Sequence, residues 1–260
     1  MREHRYTRLK AVREFGYDIN WDDLKEKHVG IIGVGGLGTV SAEMAVRCGI
    51  GKVSLFDFDK VEEVNLNRSL FKPKHIGLLK IDVAKKSFNN INPDVEVLAY
   101  GKNIMSFDFE PIFEEKIKEM DIVLNGLDNL PARDYLNVKC IKFRVPLIDA
   151  GASRSGLNGY VQTIIPYQTP CSACLKRISF NLPLETAKPC TASLPSTMAI
   201  LASIQVQEML KYLLKFGKPV GYIMYNMLTG EFINYKTKRA ESCLICGDKK
   251  ERKKSLKSKE

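Results

Sequence analysis

The chain has 260 residues, 45% of them hydrophobic and 27% charged, with 40 Lys and Arg against 30 Asp and Glu for a formal charge of +10. That is long enough to bury a large α/β core without help from crosslinks. No apolar run is long enough to span a membrane, and Met1 to Lys10 is polar rather than leader-like, so a soluble, cytoplasmic protein with no membrane partner is expected.

Residues 1–28 are polar with short helical stretches. The apolar run Val29-Gly30-Ile31-Ile32 then leads into Gly33-Val34-Gly35-Gly36-Leu37-Gly38 and a helix-like segment from Thr39 to Cys48. Strand, glycine turn and helix in that order make a nucleotide-binding βαβ unit, because glycines let phosphate approach the amides at a helix N-terminus. Asp57 ends the next apolar run, Lys52 to Phe56, where a carboxylate can take ribose hydroxyls. Asn65, Arg68 and Lys80 follow. A dinucleotide has no need of them beyond the ribose carboxylate, whereas a triphosphate needs its charge neutralised.

The alternation continues with a strand over 95–99, a helix over 108–119, a strand over 121–124, a helix over 131–143 and a strand over 146–149. This predicts a doubly wound, mostly parallel, Rossmann-like sheet. From Gly151 the pattern changes. Residues 159–165 and 221–225 read as antiparallel strands around a helix from about Pro195 to Lys215. No internal repeat or linker divides the chain, which predicts one domain over 1–247 and a basic tail over 248–260. The tail reads as a solvated, disordered end; its sharper reading is a docking segment for an acidic partner or RNA. Nucleic acid is not the expected partner of the folded part.

Ligands of open α/β sheets sit beyond the carboxyl ends of the strands. Gly33, Asp57 and Asp128 all follow such ends, so all three are expected in one crevice. Asp128 is then a candidate magnesium ligand for a triphosphate, although Asp128-Asn129 alone would read as a turn or helix cap.

Of seven cysteines, four form the pairs Cys171-Ser172-Ala173-Cys174 and Cys243-Leu244-Ile245-Cys246. Two-residue spacing lets both thiolates of a pair point at one tetrahedral zinc. The alternatives are four unrelated thiols or a redox dithiol. The pairs lie far apart in sequence, so a shared structural zinc requires the fold to bring them together. Cys48 and Cys140, within apolar helix-like segments, read as core residues.

Seven short motifs in order carry a family resemblance: Gly33–Gly38, Gly49-Ile50-Gly51-Lys52, Asp57-x-Asp59, Asn65-x-x-Arg68, Gly77-x-x-Lys80, Asn90-Ile91-Asn92-Pro93 and Asp128-Asn129-x-x-x-Arg133. Over about residues 4–247 the chain resembles the adenylation domain of ubiquitin-activating-type enzymes, a superfamily that includes the adenylyltransferases of thiamine and molybdopterin biosynthesis. Tyr6-Thr7-Arg8-Leu9 and the stretch Cys190 to Met198 look like the branch that activates a ubiquitin-fold modifier. The resemblance implies ATP and Mg2+ as reactants, Zn2+ on the paired cysteines, a ubiquitin-like modifier as protein substrate and a conjugating enzyme downstream. It implies nucleotide contacts from Gly33, Gly35, Gly36, Gly38, Asp57, Asn65, Arg68, Lys80, Asp128 and Asn129. It also implies a homodimer in which Arg8 reaches the partner's ATP phosphates, and a thioester on Cys190. Pro189 and Thr191 around Cys190, and a helix N-terminus near Pro195, suit a loop thiolate. Three other readings stay open: a sulfur-carrier adenylyltransferase that stops at the adenylate, an enzyme adenylating a tRNA-linked carboxylate, and a binding-only partner subunit.

Overall fold

Two buried faces of one sheet account for the unbroken apolar runs. A computed structural model describes residues 4–178 and 192–248, with the side chains of 176–178 left aside. After a short helix, α1 (Thr7–Lys10), come β1 (His28–Ile32), α2 (Gly36–Cys48), β2 (Lys52–Phe56), α3 (Lys80–Ile91) and β3 (Glu96–Tyr100). Then follow α4 (Glu110–Lys118), β4 (Ile122–Asn125), α5 (Leu130–Phe143) and β5 (Leu147–Ala152). The rest comprises β6 (Asn158–Ile164), α6 (Ser172–Ile178), α7 (Pro195–Leu214), β7 (Tyr222–Asn226) and β8 (Glu231–Tyr235).

Successive side chains of a strand point to opposite faces. Val29, Ile31, Val53, Leu55, Ile122, Leu124 and Ile148 therefore meet Ala42, Ala45 and Val46 of α2 and Leu201, Ala202 and Met209 of α7 in one core. Ile32, Phe56, Val123 and Leu147 meet Phe113 and Ile117 of α4 and Leu136 and Cys140 of α5 in a second core. Phe113 and Ile117 are fully buried, and each such side chain contributes roughly 1.5–3 kcal/mol. Strands covered on both sides read as continuous hydrophobic runs, as parallel strands do.

The eight strands lie in the order β3-β2-β1-β4-β5-β6-β7-β8. β3 to β5 run parallel, and β6, β7 and β8 continue the sheet antiparallel. This is the expected α/β architecture with one addition. β8 closes a hairpin through Gly230, and every residue of it is exposed. A strand with no buried face leaves no period-2 signature, which is why the sequence pattern does not mark it. From β1 the chain winds outward to β2 and β3, then returns to β4 on the other side of β1. That reversal opens a crevice between the ends of β1 and β4. Among the described residues, no helix is long and apolar enough to cross a membrane.

Candidate active site

At the reversal the two loops touch through glycines. Gly33 has φ +89°, and a Cβ there would lie 2.7 Å from the Gly126 carbonyl carbon; a Cβ on Gly38 would lie 1.8 Å from the Gly33 oxygen. These glycines are required by packing of backbone on backbone. Gly35 differs: a Cβ there meets nothing within 4 Å. The fold leaves open space at Gly35, at the N-terminus of α2, where backbone amides and the helix dipole favour an anion.

The space is a cleft of about 350 Å³ lined by Gly33, Gly35, Gly36, Asp57, Asn65, Arg68, Lys80, Asp128 and Asn129, among others. The structure thus gathers residues that the sequence spreads over nearly 100 positions. Gly38 lies one helical step behind, holding the loop rather than lining the cleft. Asp57 accepts from the amides of Val34 at 2.7 Å and Asp59 at 2.8 Å. Burial raises its carboxyl pKa, against the opposing charge of Lys80 and these amides. Lys80 is buried and donates to Asp59 at 2.8 Å. The Arg68 guanidinium folds back on its own loop, donating to the Val64 carbonyl and to Asn67. Asn65 accepts from the Glu62 amide and Asn129 from the Ala132 amide, so both side-chain oxygens also cap local turns.

Asp128 is exposed at the cleft edge, and among the described residues its carboxylate makes no hydrogen bond or ion pair. A lone carboxylate facing an anion site suits a hard divalent cation carried by a phosphate ligand. Its loop is pinned. Asn125 accepts from the Leu127 amide at 2.9 Å, and Arg133 donates to the Leu127 carbonyl at 3.0 Å. Behind the loop, Arg133 also donates to Asp149, the Ala150 carbonyl and the Tyr160 hydroxyl. Gln205 donates to the carbonyls of Asn125 and Ile148 and accepts from Ser41. Sequence reasoning assigned none of these residues to the site. Gln205 carried a signal, a polar side chain on the core face of an apolar helix. Lys102, Ile104 and Met105, also on the cleft wall, carried none.

The two cysteine pairs meet. The sulfurs of Cys171, Cys174, Cys243 and Cys246 lie within 4.8 Å of one another, all buried. Neighbouring sulfurs are 3.4, 3.7 and 3.9 Å apart. A tetrahedron with zinc–sulfur bonds of about 2.3 Å has edges of about 3.8 Å, so the donor set fits zinc. Cys140 is fully buried and Cys48 half-buried, as core residues. Cys190 and the tail from 249 lie outside the described residues. Ser193, just after that gap, lines the cleft.

Arg8 stands exposed on α1. Nearby, the Tyr6 ring packs on Gly49 and its hydroxyl accepts from Asn92, which docks α1 at the C-terminal end of α2. The 13-residue α2 is about 20 Å long, and its other end opens the cleft. Arg8 is therefore not brought to the cleft of its own chain.

A family model described as "ThiF family" matches residues 6–245. The chain is 41% identical over 239 residues to ubiquitin-like modifier-activating enzyme 5 of Bombyx mori, an overlap of 87% of this chain and 61% of that protein. It is 38% identical over 251 residues to the protein of the same name from Xenopus laevis, 92% of this chain and 63% of that one. The chain thus spans less than two thirds of the length of these relatives. Among solved structures, E. coli MccB with ATP superposes with a TM-score of 0.80 at 23% identity, over 95% of this chain and 75% of that one. That likeness is one of fold.

Proposed function

The chain belongs to the ThiF family, and from that premise we propose that it is an ATP-dependent activating enzyme for a ubiquitin-like modifier. The observation that carries the reading is how the cleft distributes charge. A helix N-terminus with an open Gly35 and the cations Arg68 and Lys80 stands across from a carboxylate, Asp128, that makes no hydrogen bond or ion pair among the described residues. A triphosphate with its magnesium calls for that combination. The names of relatives about 40% identical supply the substrate class.

In this reading the amides at Gly35 and Gly36 take phosphate oxygens, and Asp57 accepts the ribose hydroxyls with its remaining lone pairs. Lys80 keeps Asp59 with one of three donors and offers the others to phosphate. Arg68 swings from its own loop onto the phosphates, and Asn65 and Asn129 complete the rim with their amide groups. Asp128 would hold magnesium, which when bound would supply charge neutralisation for the phosphates. A carboxylate oxygen at the modifier's C-terminus attacks the α-phosphorus, the bond to the bridging oxygen of the β-phosphate breaks, and pyrophosphate leaves an acyl-adenylate. The protein's contribution is position and electrostatics.

Cys190, its proton lost to solvent, then attacks the acyl carbon; AMP leaves and a thioester remains for a conjugating enzyme to take. Two residues, Thr191 and Ala192, separate Cys190 from Ser193 on the cleft wall, a tether of at most about 11 Å over three steps of chain. Arg8 serves the cleft of a second copy in a homodimer, since its own cleft lies at the far end of α2. Zinc on the four cysteines staples α6 to the segment around Cys243 and Cys246.

The test is a panel of ubiquitin-like proteins mixed with the chain, ATP and magnesium. One of them should promote ATP–pyrophosphate exchange and give a thiol-sensitive adduct on a non-reducing gel. Cys190→Ser should keep the exchange and lose the adduct. Exchange with no adduct for any modifier would leave only adenylation, and an adduct that survives in Cys190→Ser would move the nucleophile elsewhere.

A further inference from the structure

Arg133 has the densest set of polar contacts at the cleft, yet the reaction as written does not use it. It stands near the start of α5 with its side chain 12% exposed, against an Asp149 side chain 5% exposed. One arm of the guanidinium, Nη1, donates to the Leu127 carbonyl at 3.0 Å. The other, Nη2, donates to Asp149 at 2.7 Å, to the Ala150 carbonyl at 2.9 Å and to the Tyr160 hydroxyl at 2.7 Å. Tyr160 donates in turn to the second Asp149 oxygen at 3.0 Å. Two elements are thereby tied together: the loop after β4, which carries Asp128, and the end of β5 with its neighbour β6.

The tie falls on the residue next to Asp128. The Leu127 amide is held by Asn125 and its carbonyl by Arg133, while Asn129 on the other side is fixed as the cap of α5. Asp128 sits between two anchored neighbours. Among the described residues its carboxylate makes no hydrogen bond or ion pair, the Arg133 charge acts on it only through space, and its backbone has little freedom to move. An exposed Asp serving only as a turn residue would not need both flanks fixed.

We propose that Arg133 is a positioning residue for the cation of the bound nucleotide, tying the Leu127–Asp128 loop to the end of β5 so that the Asp128 carboxylate stays where magnesium must sit. The assignment rests on the ATP–magnesium reading above. It follows from the shape of a guanidinium. Its two arms lie in a rigid plane and can join a carbonyl on one side to a carboxylate and carbonyl on the other. Lysine can keep a positive charge against Asp149, but its single nitrogen cannot span both sides. Residues that hold a metal ligand in place typically change metal affinity by about 10–100-fold when altered.

Calorimetric titration of wild type and Arg133→Lys, with ATP in excess magnesium and with ATP in EDTA, tests this without requiring turnover. In wild type, magnesium should tighten ATP binding. In Arg133→Lys that gain should shrink by about tenfold, while metal-free ATP binds within about twofold of wild type. Tyr160→Phe removes the hydroxyl that orients both Arg133 and Asp149 without changing any charge. It should move the magnesium gain in the same direction by a smaller factor, and it carries the test if the lysine variant fails to melt cooperatively. Parallel losses with and without magnesium would reduce Arg133 to a general scaffold residue, and an unchanged magnesium gain in the folded variants would equally overturn the proposal. If wild type itself binds ATP with no help from magnesium, the functional reading fails and the role of Arg133 falls with it. If wild type shows the gain and the variants keep it, only the role of Arg133 fails.

Discussion

The two halves of the molecule are held in different ways. From β1 to β5, apart from the backbone approach of Gly33 to Gly126, the contacts that shape the cleft join residues close in sequence. Val34 and Asp57 are 23 positions apart, and Lys80 and Asp59 are 21. From β6 onward the pins are remote. Gln205 bonds Ser41 across 164 positions and Asn125 across 80, and Cys171 meets Cys243 across 72. The first half builds its ligand loop by local chain geometry, and the second closes the floor and flank by long-range polar and thiol contacts. Damage to the second half should therefore cost stability, whereas damage to the first divides into structural and ligand effects residue by residue.

The largest expected effect lies in the second half. Structural zinc couples binding to folding. Cys243→Ser, or a strong chelator, should cost at least about 3 kcal/mol, a fall in Tm of roughly 6–12 °C for a chain of this size. ATP binding below the new Tm should persist, because none of the four cysteines lines the cleft. Differential scanning calorimetry beside metal analysis measures both, and a chelated protein that melts unchanged would remove the contrast between the halves.

Next in size is the division within the glycine loop. Gly38→Ala forces a Cβ against the Gly33 oxygen, an overpacking of backbone that costs about 2–3 kcal/mol despite the better helix propensity of alanine. Gly35→Ala meets no protein atom. It should leave Tm within about 1 °C and weaken ATP binding about tenfold, since ATP alone would fill that space. Thermal melts with and without ATP separate the two. Equal destabilisation by both substitutions would show that Gly35 serves the fold as Gly38 does.

The smallest effect is in the first half. His28 is buried in β1, with Nε2 2.8 Å from the Ser54 hydroxyl and Nδ1 3.0 Å from the Glu119 carbonyl. Burial, helped by the charge of Lys52, lowers its pKa from the usual 6.5. As pH falls the unfolded chain takes up this proton first. The stability contributed by the neutral ring is therefore complete above about 6.5 and is lost as pH drops toward the lowered folded value, by at most about 1.4 kcal/mol per pH unit. Urea midpoints between pH 7.5 and 5.5 should show the slope in wild type and a shallower one in His28→Asn. Identical slopes would assign the acid sensitivity to other groups.

The sequence reading succeeded where chemistry is local. The strand before Gly33, the helix after Gly38 and Asp57 at the next strand end lie close together in the chain, and the sheet order brings Asp128 to the same crevice. The paired cysteines were readable because two-residue spacing limits how the thiols can point, and the fold brings both pairs together. Arg133 stood in a quoted motif without a function, since nothing in its spacing from Asp128 says that its side chain turns back to the Leu127 carbonyl. Asp149 closes an apolar strand run and looks like any strand-end acid until Arg133 and Tyr160 are seen against it. β8 escaped because an edge strand with exposed side chains has no apolar period.

By itself the sequence determined the layered α/β plan, the glycine-rich turn and the charged groups around it, and the thiols available for one metal. These follow from periodicity and from short motifs whose geometry is fixed by a few neighbouring dihedral angles. Tertiary structure alone decided which glycines are required by packing and which leave room, that α1 sits at the far end of α2 from its own cleft, and how Asp128 is held. Each of those draws on an approach between residues tens of positions apart, Gly33 to Gly126, Tyr6 to Asn92 and Arg133 to Tyr160, and such approaches are set by packing both faces of the sheet at once rather than by any local preference of the chain.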